Sequence, residues 1–411
     1  MKMQRWIVFC IPFLITVRLF APNIDTTSGP NLDKSMTITA LWTLNAGEHA
    51  YGSVAFKEGL QMNGVGTNNL DVYFPVEKSL DLRNGLLTLL NGDLHIAEGT
   101  IIYSAAPFSY MRTPASNVRP SVIYLDGDVT ISGDSASAGG DVCGLTIDNV
   151  IIDGQGHSLI LGPNERSGAL FFGNNVTIRN VTLKNSWCDL ASGTFLKSAG
   201  FVPGFATNDC ILENVDFSLR PGLPMCFGSI PANARTQRLI INKTVLIRGT
   251  GVVLPSFGTQ FGVRNGEFNM PIIIRDNANL VLENTQMLKG WFTWSGYGPG
   301  YGLQEWVDLF FETERSQLTL NNSTLAIFNT PFHAIYQGER DITMTLTQGT
   351  ILVEGASSLV SDSQFPQSVS TLYLGDGSDP NNDINIIITP GATLSLEATN
   401  TNCLIVMQNV H

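Results

Sequence analysis

The chain has 411 residues, a formal net charge of −12, 40 glycines and only 14% charged residues. That acidic balance argues against nucleic acid and anionic lipid as partners, because both select basic surfaces. A globule of this length would divide into two or three domains, whereas a solenoid whose coils touch only their neighbours permits one elongated domain.

Residues 1–21 read as an export signal or N-terminal anchor. Lys2 and Arg5 supply the positive start, and the run from Trp6 to Val17 is apolar. The run is too short to span a bilayer as a helix, so no integral membrane domain is expected beyond such an anchor. Arg18 and Pro22 flank the end of the run and leave the cleavage point open. The expected location is extracellular, cell-surface or periplasmic. Residues 22–85 lack the repeat described next and are assigned to an N-terminal cap and irregular first coils, since an open solenoid end needs covering.

Residues 86–330 carry a recurring phrase. It runs Leu145-Thr-Ile147-Asp-Asn149-Val-Ile-Ile152 and Val176-Thr-Ile178-Arg-Asn180-Val-Thr-Leu183, and then returns around Asn214, Asn284 and Asn322. A sixth copy, Val245-Leu-Ile247-Arg-Gly249-Thr-Gly-Val252, has Gly in the Asn slot. The interval between copies is roughly 31 to 38 residues. Apolar residues at −4 and −2 from the slot alternate with polar ones, which is a half-buried strand. Asn and Gly tolerate the left-handed backbone best, so the slot is expected to be a bend with positive φ. Coils stacked about 4.8 Å apart would then let Asn149, Asn180, Asn214, Asn284 and Asn322, with Gly249 among them, line up as one ladder.

Between the phrases lie the segments 187–207, 220–238, 255–271, 290–313 and 329–340, read as loops on one side; 104–120, with three prolines, reads as a further loop. The stretch 290–306 is rich in aromatics: Trp291, Phe292, Trp294, Tyr297, Tyr301 and Trp306, with Asp308 just beyond. Flat rings and a nearby carboxylate make these seven residues a candidate glycan platform. The competing reading is that the rings fold back over the flank of the solenoid. Residues 331–411 keep strand alternation but lose the Asn phrase, as worn C-terminal coils would.

This pattern resembles the right-handed parallel β-helix of the pectin-lyase-like superfamily. Ile152-Asp-Gly-Gln-Gly-His157 and Asn175-Val-Thr-Ile-Arg-Asn-Val-Thr-Leu-Lys-Asn185 are similar to its commonest coil sequences. The resemblance implies an all-β solenoid with loops projecting from one side, and it implies little about function, because the scaffold hosts lyases, hydrolases, adhesins and tailspikes alike. The paired-Asp, Gly-His-Gly and Arg-x-Lys motifs of its hydrolases are absent from this sequence. Asp148 and Asp153 straddle one corner and form a conceivable acid–base pair, but an outward Asp and an Asp-Gly turn is the simpler reading. No catalytic residue, metal site or cofactor is assigned. Cys143, Cys188, Cys210, Cys226 and Cys403 form no disulfide framework; one bridge, from Cys188 to Cys210 or Cys226, is permitted, and Cys210 also fits a core slot. The expected role is non-catalytic: a surface rod presenting loops for adhesion or for polysaccharide or host glycan. A polysaccharide lyase or glycoside hydrolase, and a purely structural surface protein, are the alternatives.

Overall fold

Side-chain alternation fixes the local structure. In Thr244–Arg248, Val245 and Ile247 are buried while Thr244 and Arg248 are exposed, and Asn279–Glu283 and Ile342–Leu346 repeat the pattern. A period of two is strand geometry, and the described residues form strands and no helix. No described helix is therefore long and apolar enough to cross a membrane. The computed structural model describes residues 35–38, 49–50, 53–57, 70–74, 79–81, 86–90, 92–96, 98–104, 109–115, 119–133, 143–161, 167–173, 175–186, 189–192, 209–219, 226–229, 238–249, 267–268, 272–291, 309–329, 341–363, 369–377 and 383–411.

The strands pair in parallel with the coil before and the coil after, so the chain is a parallel β-solenoid with three faces visited in a fixed order. The first face runs through Leu70–Phe74, Gly92–Ile96, Ser121–Leu125, Val150–Asp153, Leu239–Ile241, Ile272–Ile274 and Leu309–Phe311. The second runs through Ile101–Ser104, Val129–Gly133, Ser158–Leu161, Thr244–Arg248, Asn279–Glu283, Gln317–Asn321, Thr350–Glu354 and Asn385–Ile388. Two long strands, Val176–Ser186 and Cys210–Leu219, cross the corner and belong to both. The third face comprises Ser35–Ile38, Ser53–Lys57, Leu86–Leu90, Ser109–Arg112, Cys143–Asp148 and Ser167–Phe172, then a second ladder from Asp189–Ser192 to Thr393–Ala398. Ile342–Leu346, Ser370–Leu374 and Cys403–Met407 take the first-face place in the last coils.

Inward side chains stack into columns. Val215, Val245, Leu280, Leu318 and Ile351 stand one above another, each nearly or wholly inaccessible to water. Each such side chain contributes about 1.5–3 kcal/mol relative to exposure. Cys210 sits in this interior as a free thiol, in the core slot expected for it, and Cys188 lies outside the described residues.

The corners correct the sequence reading. All five Asn residues do adopt positive φ, between 47° and 53°. They do not form one ladder. Asn180 and Asn214 stand level between the first and second faces, where Asn214 Nδ2 donates to Asn180 Oδ1 at 3.1 Å. Asn284 and Asn322 stand level with Gly249 and Gly355 between the second and third faces. Asn149 belongs to the remaining corner, where Asn175 Nδ2 donates to its Oδ1 at 2.8 Å. The phrase encodes strand, left-handed residue, strand, and any corner of the coil can use it.

Gly249 departs further. Its φ lies outside the left-handed region, and a Cβ there would stand 2.2 Å from the main-chain oxygen of Asn284. Glycine is required at this corner by close approach of two backbones. Several segments read as loops also contain strands: Ser109–Arg112, Asp189–Ser192, Cys226–Ser229 and Glu267–Phe268 on the third face, and Leu309–Phe311 on the first.

Candidate functional site

On the first face every second side chain points away from the core, and the register sets the last outward position of successive strands in one row. His95 is level with Tyr124, Tyr124 with Asp153, Asp153 with Arg179, and Arg179 with Glu213. Asn242 follows the next strand and donates to Glu213 Oε1 at 2.5 Å, and Arg275 Nη1 donates to Asn242 Oδ1 at 3.3 Å. The row thus crosses many coils as a continuous line of polar and aromatic groups. Its members come from positions some 26 to 34 residues apart, one per coil.

The row is densest between His95 and Arg179. The rings of His95 and Tyr124 stack with centroids 4.6 Å apart and 23° between planes. His95 Nδ1 lies 3.0 Å from Asp126 Oδ2, and Gln155 Nε2 donates to Asp126 Oδ1 at 2.8 Å. Arg179 Nε donates to Asp153 Oδ2 at 2.8 Å, while Asp153 Oδ1 accepts from the main-chain N–H of Gln155 and from Asn180 Nδ2. One strand position earlier in the outward set, Asp93 is buried and takes two 2.8 Å bonds from Arg119 and a third from the Val122 N–H. At the corner, Asp128 accepts from the Ser158 N–H at 2.7 Å and faces Lys184 at 3.4 Å.

These contacts set the charge states. Burial, reinforced by the Asp93 carboxylate, pushes the Tyr124 phenol above its ordinary value, so it stays a neutral hydroxyl at physiological pH. The Ser158 N–H, with Lys184 beside it, holds Asp128 below the usual carboxylate range. Asp93, Asp126, Asp128 and Asp153 each have a cationic or imidazole partner. Arg179 spends only its Nε, and its terminal NH2 groups make no other bond among the described residues while the side chain is 33% exposed. Among the described residues no group of His, Cys, Asp or Glu could hold a metal ion. The arrangement offers hydrogen-bond donors and acceptors in a fixed line.

Asp148 and Asp153, weighed above as a pair, lie on different faces, in Cys143–Asp148 and Val150–Asp153. Asp153 forms the turn at Gln155, as its Asp-Gly sequence suggests, and is also the ion-pair partner of Arg179. Of the aromatic platform, Trp291 ends the strand Gln286–Trp291, its backbone level with Asn329. Phe292, Trp294, Tyr297, Tyr301, Trp306 and Asp308 lie outside the described residues. The outward row escaped the sequence reading because nothing local marks it. Comparison with known proteins returns no match to a family model, a curated protein or a solved structure.

Proposed function

We propose that this chain is a non-catalytic, exported β-solenoid of the pectin-lyase-like kind that binds glycan along its first face. The observation that carries this reading is the outward row from His95 to Arg275, a line of held donors and acceptors spaced by the coil repeat. A linear polysaccharide laid along the solenoid axis would meet one such group per coil, about every 4.8 Å. The neutral Tyr124 hydroxyl and the terminal NH2 groups of Arg179 suit sugar hydroxyls, and Arg179 also suits the carboxylate of an acidic sugar. In this reading residues 1–21 direct export, and the aromatic residues of the stretch 291–306 are a second candidate for sugar contact.

The test is size-exclusion chromatography of the full chain with acidic and neutral polysaccharides, following polymer mass and protein co-elution together. Co-elution with intact polymer, weakened by Arg179→Ala and Tyr124→Phe, is expected. Falling polymer mass would make the chain a lyase or hydrolase. Co-elution lost only in Trp294→Ala would move the site from the row to the aromatic loop, and no co-elution with any polymer would sink the glycan reading.

A further inference from the structure

The first face carries a second line beside the polar row. Earlier in each strand, the neighbouring outward position holds Ile151, Thr177, Ile211, Ile240, Ile273 and Phe310, each level with the next. Strand geometry sets the two lines about 7 Å apart, close to the width of one sugar ring with its hydroxyl edge. The aliphatic lane is open over three coils, at Ile151, Thr177 and Ile211, which are partly exposed. Val122 before them and Ile240 after them are closed off, at 7% and 1% exposure. Ile240 belongs to the outward set, because its neighbours Leu239 and Ile241 join the core and it does not. Beside the open stretch the row presents Asp153, Arg179 and Glu213.

From this we infer that Ile151, Thr177 and Ile211, with Asp153, Arg179 and Glu213, form a subsite for a neutral sugar chain, about three rings long at one ring per open coil. The inference rests on the glycan reading above and gives it a substrate class. Two observations choose the occupant. First, a pyranose has the same two-sided character as the surface: a C–H face that leaves water favourably against aliphatic groups, and a rim of hydroxyls. A ligand polar all round would leave the lane wet, and an apolar one would strip water from the row without replacing its hydrogen bonds. Second, the charges along the row alternate. Arg179 stands between Asp153 and Glu213, one coil from each, and its Nε already donates to Asp153. A carboxylate drawn to Arg179 therefore meets an acid on either side, in a chain of net charge −12. Hydroxyls, which both donate and accept, satisfy all three groups at once.

The test is isothermal titration calorimetry of the full chain with cello-, xylo- and manno-oligosaccharides of increasing length, and with oligogalacturonate as the acidic probe. At least one neutral series should bind, with an affinity that rises up to about three rings, levels off beyond, and is indifferent to salt. Oligogalacturonate should bind roughly tenfold more weakly or worse. Ile211→Ser should weaken the neutral series roughly tenfold, and Thr177→Val, which completes the aliphatic lane, should tighten it. Leu352→Ser, at a partly exposed outward position of the second face, is the control and should match the native chain. Tighter binding of the acidic probe would overturn the inference, as would an affinity that keeps climbing with length or lane variants that bind like the native chain. Each of those results leaves a glycan-binding rod standing. Binding of no neutral oligosaccharide overturns the inference too, and the co-elution experiment above then decides the glycan reading on its own. Where Ile211→Ser fails to fold by circular dichroism, Thr177→Val decides, and unchanged affinity there would overturn the lane.

Discussion

Replacing Gly249 with Asn separates the sequence reading of the corner from the structural one. If the slot were an Asn position filled by chance with Gly, Gly249→Asn would be harmless or mildly stabilising. The structure gives the opposite sign. Gly249 lies outside the left-handed region, and a Cβ would stand 2.2 Å from the Asn284 oxygen and 2.8 Å from the Thr285 Cβ. Those neighbours are main chain and a β-carbon held in register by the Gly249 N–H to Glu283 carbonyl bond at 2.9 Å, so a backbone must shift. Such overpacking costs about 1–3 kcal/mol, in Gly249→Ala as well as Gly249→Asn. Urea unfolding followed by far-ultraviolet circular dichroism measures it. With a slope of about 3 kcal/mol/M or more for a chain of this size, the midpoint should fall by several tenths molar. Asn284→Gly, which keeps φ of 48° accessible, should cost no more than about 1 kcal/mol. A native midpoint in Gly249→Asn would refute the close-approach argument.

Three further outcomes are expected. Asp93→Ala leaves the buried Val122 N–H without its acceptor and removes the carboxylate that pairs with Arg119, and should cost about 1–3 kcal/mol in the same urea assay. Asp216 has its carboxyl raised by burial, with Glu283 adding to the shift and Arg248 opposing it. The folded state therefore holds that proton more tightly than the unfolded one, so this group favours folding at low pH and the benefit is lost as pH rises through its folded value. Asp216→Asn should consequently raise the urea midpoint at neutral pH and lose that advantage in acid; an equal effect at both pH values would contradict the assignment. The Cys210 thiol is pushed far up by burial, so alkylation of Cys210, followed by peptide mass spectrometry, should appear only once denaturant is added.

The strand–bend–strand unit was legible because its chemistry is local. Asn180 and Asn284 each end a run of alternating residues, and few other side chains tolerate the conformation that follows. Which corner each one turns was not legible. Asn149, Asn180 and Asn284 obey one template while standing at three different corners, and only the pairing register separates them. The third face was hidden for a related reason. Asp189–Ser192 and Glu267–Phe268 are too short to show a period, and they lie in stretches whose composition reads as loop. Leu309–Phe311 was missed beside the aromatic run although Leu309 and Phe311 are both buried. The candidate site fared worst. His95, Tyr124, Asp153 and Arg179 are strangers in sequence, and their adjacency exists only once coils have stacked.

The two strands that run through a corner without breaking, Val176–Ser186 and Cys210–Leu219, give the solenoid a mechanical profile. Elsewhere a coil reaches its neighbour through separate short ladders, and a tug along the axis can open these one face at a time. Between these two strands, the first-face and second-face ladders are a single register from Val176 level with Cys210 to Ser186 level with Leu219, interrupted by one irregularity. Both ladders must part together there. A chain pulled from its two ends should lose its outer coils in small steps and surrender this middle splice last, in the largest step of the series.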